Sequence, residues 1–242
     1  MIDVSCFVGP GPLVARPLST PEAVEALLRR EGVTGAGVSP MAGLFGSDPA
    51  ANDELVRSPF FRPIPIVDPR WANVTAHLDR YRRQGCPAVR ISPGSHGYRA
   101  ADAGGLKRTC GSLGLVLVLQ MRVADPRNLP KGLRLGEVDV DDAIRLALVV
   151  PAVPMVVAGA RAGELSAVLT ASAESVCADL SLAEEPDVLR RAVAAHGARR
   201  LLVGTHAPFL TPAAARQKLA AAGLPPADLE AVSRRTAERL GF

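Results

Sequence analysis

The sequence predicts an α/β fold: a single (β/α)8 TIM barrel of eight parallel strands, spanning residues 1–242, with an extra C-terminal helix. Three observations carry that expectation. Short apolar runs alternate with amphipathic helical patterns eight times, and such alternation implies parallel strands joined by helical crossovers. The runs LVLVL at 115–119 and MVVA at 155–158 are apolar throughout, as strands covered on both faces are. The length of 242 residues suits one barrel. No G-x-G-x-x-G follows the first run and no G-x-x-x-x-G-K-[ST] occurs, so the phosphate-cradling turns of open α/β sheets are missing.

The elements follow in order. Residues 2–8 form the first strand. Ser19 and Thr20 open a helix over 21–32, with proline in its first turn and Gly32 at its end. The second strand is 35–39, and a short helix is expected over 52–57. The proline-interrupted run RPIPIV, 62–67, is the third strand, followed by a helix over 74–84. Strand four is 88–92, with a helix over 106–113; strand five is 115–119, with a helix over 139–149. Strand six is 155–158, with a helix over 162–173; strand seven is 176–180, with a helix over 186–196. Strand eight is 201–204, with a helix over 212–222, and the last helix covers 227–240.

Composition excludes several classes. Hydrophobic residues at 48% are too many for a disordered chain. Lys+Arg 28 against Asp+Glu 24 leaves only +4, the arginines are scattered among acids, and lysine occurs only at 107, 131 and 218. No basic run interleaved with aromatics is present, so no nucleic-acid partner is expected. The longest uncharged apolar stretch, 146–160, is shorter than the roughly 18 residues of a membrane span and is broken by Pro151 and Pro154. The first residues lack the basic and apolar regions of a secretory signal, so a cytoplasmic protein is expected. Cys6, Cys86, Cys110 and Cys177 form no C-x-x-C pair, which argues against a disulfide framework or a cysteine zinc site.

Several segments together resemble a known family. IDVSCFVGP looks like a first strand usually written I-D-x-H-x-H-x-G. FRPIPIVDPR, AVRISPGSHGY, LGLVLVLQ, VPMVVAGARAG and RLLVGTHAPF stand where strands three, four, five, six and eight of the same pattern would, and LPPADLEAVSRRTAERLGF resembles its terminal helix. The pattern is that of the amidohydrolase superfamily, in its branch of compact amidohydrolase-related barrels that includes metal-dependent hydrolases and nonoxidative decarboxylases. The resemblance covers nearly the whole chain. It implies a TIM barrel with its site at the C-terminal ends of the strands, acting on a small anionic or carboxylated molecule, and it allows a homodimer.

The resemblance also implies five metal-ligand positions, and none keeps its ligand. They hold Ser5 and Phe7 on strand one, Gln120 on strand five, Gly159 on strand six and His206 on strand eight. Phe7 and Gly159 carry no donor, and Ser5 and Gln120 are poor ligands for zinc. No metal or other cofactor is therefore expected.

Strand alternation predicts what remains at the active face. Asp3, Ser5 and Phe7 face inward and Cys6 outward, where a thiol is either a nucleophile or a small buried hydrophobe. Arg90 and Ser92 face inward on strand four. Gln120 and Arg122 end strand five, and Arg161 follows strand six. The three arginines are either an anion pocket or ion pairs with Asp3, Asp68, Asp125 or Asp179. His206, beside Thr205, is either a general acid/base or a space-filling hydrogen-bonded ring. Asp68 and Asp179 are the candidates to orient it. His96 and Tyr98 are placed to touch a substrate from the fourth loop. His77 and His196, on helices, are expected at the surface.

Three functions fit these residues. One is metal-independent lyase, decarboxylase, isomerase or hydrolase chemistry, with His206, Asp68 and Asp179 as catalytic groups. Its substrate would be bound by Ser5, Phe7, Arg90, His96, Tyr98, Gln120, Arg122, Arg161 and Thr205. This reading requires His206 to be exposed in a rim pocket. The second is a pseudoenzyme serving as a binding or complex-forming subunit, recognisable by a centre filled by Phe7 and its neighbours. The third is a hydrolase holding zinc or another divalent metal with His96, His206, Asp3 and Asp68.

Overall fold

The computed structural model describes residues 1–53, 55–125 and 129–242. Eight parallel strands alternate with helices as the sequence predicts. They are β1 (Ile2–Val8), β2 (Gly35–Pro40), β3 (Phe61–Pro63), β4 (Ala88–Ile91), β5 (Val116–Gln120), β6 (Met155–Ala158), β7 (Val176–Asp179) and β8 (Leu201–Leu202). β1 to β3 form one continuous ladder and β4 to β8 another.

Backbone hydrogen bonds close both seams. At β3–β4, Arg90 N donates to Pro65 O at 2.7 Å and Val67 N to Arg90 O at 2.8 Å. At β8–β1, Val4 N donates to Val203 O, His206 N to Ser5 O and Phe7 N to Ala207 O, all within 2.9 Å. The third strand is shorter than 62–67 because Pro63 and Pro65 cannot donate to a ladder. Its remainder still bridges to β4 through Ile66 and Arg90.

The helices are set by their ends. α1 (Pro21–Arg30) begins where Thr20 accepts a hydrogen bond from Ala23 N, with proline at its first position. Its Val24 and Leu28 are buried, each worth roughly 1.5–3 kcal/mol of burial. A short turn, α2 (Ala42–Phe45), follows β2. The helix expected over 52–57 is instead a 3-10 turn at Pro49–Asn52, capped by the Asp48 side chain; residue 54 lies outside the described residues. α3 (Val74–Arg83), α4 (Pro93–His96) and α5 (Gly104–Leu113) follow, the last closed by Gly114 at φ 65. Asp139 caps α6 (Val140–Leu148), and α7 (Ala162–Ala171), α8 (Val188–His196) and α9 (Pro212–Ala221) complete the ring.

The extra C-terminal helix is present as α10 (Pro226–Glu230), a π-helical turn (Ala231–Arg235) and α11 (Thr236–Arg239). Its Ala237 and Leu240, with Phe242, pack on Val4, Ile64, Ala88, Val118 and Leu202 and seal the N-terminal end of the barrel. Gly37 leaves room for this plug: a Cβ there would lie 2.7 Å from Ile64 Cδ1 and 3.0 Å from Phe242 Cδ1.

One irregularity positions the site. Asp3 pairs with Ala36 and Cys6 with Val38, so β1 spends three steps where β2 spends two, a β-bulge. Val4 packs in the barrel interior and Ser5 also points inward to Arg90, while Cys6 packs outside with Val24 and Leu28. Asp3 is therefore not aligned with Ser5 and Phe7 as simple alternation predicts. It is held at the β1–β8 seam, accepting from Ser5 N at 2.8 Å and from Thr205 N at 3.1 Å. No helix among the described residues is long and apolar enough to cross a membrane.

Candidate functional site

Above the apolar plug lies a polar layer centred on Arg90, which is 0% exposed. Its side chain rises from β4 into the middle of the barrel. Nε donates to Ser39 Oγ at 3.0 Å, Nη1 to Ser5 Oγ at 3.2 Å and to Gln120 Oε1, and Nη2 to Val4 O at 3.3 Å. The guanidinium carbon lies 4.8 Å from the centre of the Phe7 ring, a cation–π contact. Arg90 thus ties β1, β2, β4 and β5 together through neutral partners. Burial lowers its pKa to about 10, and Asp179 and Asp3 oppose that shift.

On the other half of the same layer, Asp179 ends β7. Its Oδ1 accepts from Gly159 N at 3.2 Å, Ser181 N at 3.0 Å and Ser181 Oγ at 2.7 Å; its Oδ2 is buried and accepts nothing among the described residues. His206 follows β8 with φ at 58°, an uncommon backbone state outside glycine. Its Nε2 meets Val123 O. A carbonyl can only accept, so Nε2 carries the proton and Nδ1 keeps a lone pair, which has no partner. Burial lowers the His206 pKa to about 4, Arg90 adds to that, and Val123 and Asp179 oppose it. The ring is neutral at pH 7.

A second apolar layer closes the mouth above these groups. Phe7, Met41, Leu44, Ile66 and Val123 are packed together, with Phe45 and Phe209 against them. The Phe7 and Phe209 rings lie 5.1 and 5.3 Å from the His206 ring, whose residue is 0% exposed. The expected general acid/base open to solvent is therefore not what the structure contains. His206 is sealed beneath side chains, and the space between Ser5 and Gln120 is filled by Arg90.

A cleft of about 560 Å3 lies over this lid, walled by Leu13, Val14, Leu18, Leu182 and Phe209, with Arg122 and Arg161 at one side. The two arginines do not form an open anion pocket. Arg122, 3% exposed, donates to Glu164 at 2.6 and 2.7 Å, and its Nε lies 3.1 Å from Glu137. Arg161, half exposed, donates to Glu137 at 3.0 Å. The pairing acids are thus Glu137 and Glu164, not the aspartates the sequence suggested. They were hidden because one lies on a long loop and the other in the first turn of α7.

The remaining candidates are divided among other places. Asp68 is committed to Arg70 at 2.6 Å and Ser47 at 2.6 Å and makes no contact with His206. Burial pushes its pKa up, but these hydrogen bonds outweigh it and hold the pKa near 2. His96 Nε2 meets Gly43 O at 2.9 Å and Nδ1 lies 3.8 Å from Asp68, away from the rim cleft. Arg70 stacks 4.9 Å over the half-buried ring of Tyr98. Thr205 points its hydroxyl at Asp3. Asp3 itself is pushed up to about 6 by burial, against the hydrogen bonds from Thr205 and Ser5. Of the twelve candidates, Arg122 and Arg161 stand at the cleft wall, and the fully buried His206 lies directly beneath its floor. Ser39, a partner of Arg90, was missed; the alternation of GAGVS would have placed it inward.

A divalent metal does not fit this centre. Phe7 and Gly159 offer no ligand, and the one strong cation already between Ser5 and Gln120 would repel another. The atypical set His96, His206, Asp3 and Asp68 is not assembled: no group of three or more His, Cys, Asp or Glu placed to hold a metal occurs among the described residues.

No protein-family model matches the chain, and no curated protein matches it. Solved structures do. A 2,6-dihydroxybenzoate decarboxylase from Rhizobium aligns over 99% of this chain and 97% of its own, at 17% identity and a TM-score of 0.75. The 5-carboxyvanillate decarboxylase LigW from Sphingomonas paucimobilis aligns over 99% and 98%, at 15% identity and 0.75. An amidohydrolase 2 protein from Bifidobacterium longum subsp. infantis aligns over 99% and 97%, at 17% identity and 0.67. At these identities the shared property is the fold, a TIM barrel.

Proposed function

We propose that this chain is a catalytically silent amidohydrolase-type barrel that binds a small carboxylated aromatic molecule in the cleft at its rim. One observation carries the reading: Arg90, Phe7 and His206, all 0% exposed, fill the centre where this fold would place its chemistry. The cleft above has apolar walls in Leu13, Val14, Leu18, Leu182 and Phe209, which suit an aromatic body; its polar lining includes Asp125 and Glu184, and the half-exposed Arg161 is the group a carboxylate would engage. The choice of ligand class draws on the structural neighbours, one of which holds 2,6-dihydroxybenzoate.

The test is binding and turnover measured together. Dihydroxybenzoates and carboxyvanillate are added to the purified protein, with and without zinc or manganese. Saturable binding without carbon dioxide release is expected, with affinity weakened in Leu182→Arg, which intrudes on the cleft. Metal-stimulated decarboxylation would overturn the reading.

A second reading is favoured by the lone pair on His206 Nδ1. It makes the ring a base for metal-independent lyase or decarboxylase chemistry, and it requires the Phe7 and Phe209 rings to part. Turnover that needs no metal and disappears in His206→Phe would select it.

A further inference from the structure

The polar layer contains one full positive charge, Arg90, and two buried carboxylates that do not touch it, Asp3 and Asp179. The guanidinium spends its hydrogen bonds on two hydroxyls, one amide oxygen and one backbone carbonyl. Two of those groups, Ser5 and Gln120, stand at positions that the sequence resemblance marks for metal ligands. Asp179 Oδ2 has no hydrogen-bond donor of its own; Arg90 acts on this carboxyl through space from within the layer, and the Lys218 ammonium, held on Leu180 O and Ser181 O, acts on it from outside.

We infer that Arg90 is the resident cation of this barrel: it organises the C-terminal ends of β1, β2, β4 and β5 and neutralises the interior carboxylates, the work a divalent metal would otherwise do at this layer. The guanidinium is planar and always charged, and its fork matches several acceptors at once. It arrives covalently attached, so no metal is needed to assemble the layer. A metal entering between Ser5 and Gln120 would have to displace a buried charge held on four strands. This inference goes beyond the rim-binding proposal and survives its failure, since it concerns the layer beneath the cleft.

Three measurements test it. First, the protein is expressed with added zinc and manganese, its metal content measured, and its melting recorded with chelator and with each metal. Substoichiometric metal and an unchanged Tm are expected; a stoichiometric metal whose removal lowers Tm would overturn the inference. Second, Arg90→Ala is expected to lower Tm by roughly 6–20 °C. Ethylguanidinium, the missing part of the side chain, should restore part of that loss, and the neutral ethylurea should not. Equal rescue by ethylurea would show that shape and hydrogen bonding matter, not charge. Third, Arg90→Lys and Arg90→Gln remain informative if the alanine variant does not fold. Lysine keeps the charge and glutamine keeps donors without it. The lysine variant should melt several degrees higher, and the reverse order would refute a cation's role.

Discussion

Arg90 on β4 and Arg122 just beyond the end of β5 sit one layer apart, and the molecule treats them in opposite ways. Arg90 is wholly buried and meets only neutral acceptors within hydrogen-bond distance. Arg122, at the rim, is gripped by Glu164 and Glu137. Their pKa values move in opposite directions. Burial lowers that of Arg90, and at Arg122 burial is outweighed by the two glutamates. The lesson is that equal charges in adjacent layers can do different work. The rim arginine belongs to a local, self-neutralised ion cluster. The central one is a shared charge whose counter-ions lie at a distance, so removing it is felt across four strands.

The largest effect should come from breaking the centre. Arg90→Met removes the cation within the layer that acts on Asp179 and strips partners from Ser5, Ser39 and Gln120; a loss of about 3–5 kcal/mol is expected in urea unfolding. A loss near that of a rim variant would erase the distinction drawn between the two arginines.

Acid should come next. The His206 pKa is about 4 in the fold against an ordinary value near 6.5, so the unfolded chain takes up the proton first. Stability is complete above about pH 6.5 and falls as pH drops towards 4, by about 3 kcal/mol if His206 acted alone. Asp3, raised to about 6, works against it. The fold takes up that proton first, so this contribution stabilises as pH falls from 6 towards 4. Asp3→Asn should therefore show a steeper acid loss than the parent between pH 6 and 4. A parallel pH profile would mean that Asp3 is not the opposing group.

At the rim, Glu164→Gln removes one of two acids from Arg122 and should cost about 1–2 kcal/mol by the same unfolding measurement. Arg161→Ala should be the smallest change, within about 0.5 kcal/mol, because that ion pair is half exposed. Its effect belongs to ligand binding: the affinity of a carboxylated aromatic should fall while that of an uncharged analogue holds.

The barrel was legible because short apolar runs and amphipathic helices alternate along the chain, and both signals are local. The short third strand was blurred by its prolines, which give an apolar run without a ladder. Inward placement of Arg90, Gln120 and Ser5 could be read from alternation. What alternation cannot supply is reach. Whether a long arginine curls into the barrel or out to its rim depends on acceptors from strands tens of residues away, such as Ser39. For the same reason the partners of Arg122 were misassigned: Glu137 and Glu164 approach it only through the fold. His206 was correctly singled out, but the lid of Phe7, Met41, Leu44, Ile66 and Val123 draws on four separate segments, and no single segment announces it.

The bulge in β1 has a consequence in parity. Because Val4 and Ser5 both face inward, this strand carries one residue more than its neighbour requires. Deleting Val4 would leave a flush strand with Ser5 and Phe7 still inside and Cys6 still outside. Deleting Cys6 instead also restores a flush strand with Phe7 opposite Ser39, but it moves Ser5 opposite Val38 and turns its hydroxyl away from Arg90 towards the helices. Two single-residue deletions, two positions apart, would thus both remove the bulge, one keeping the Ser5 hydroxyl on Arg90 and the other losing it.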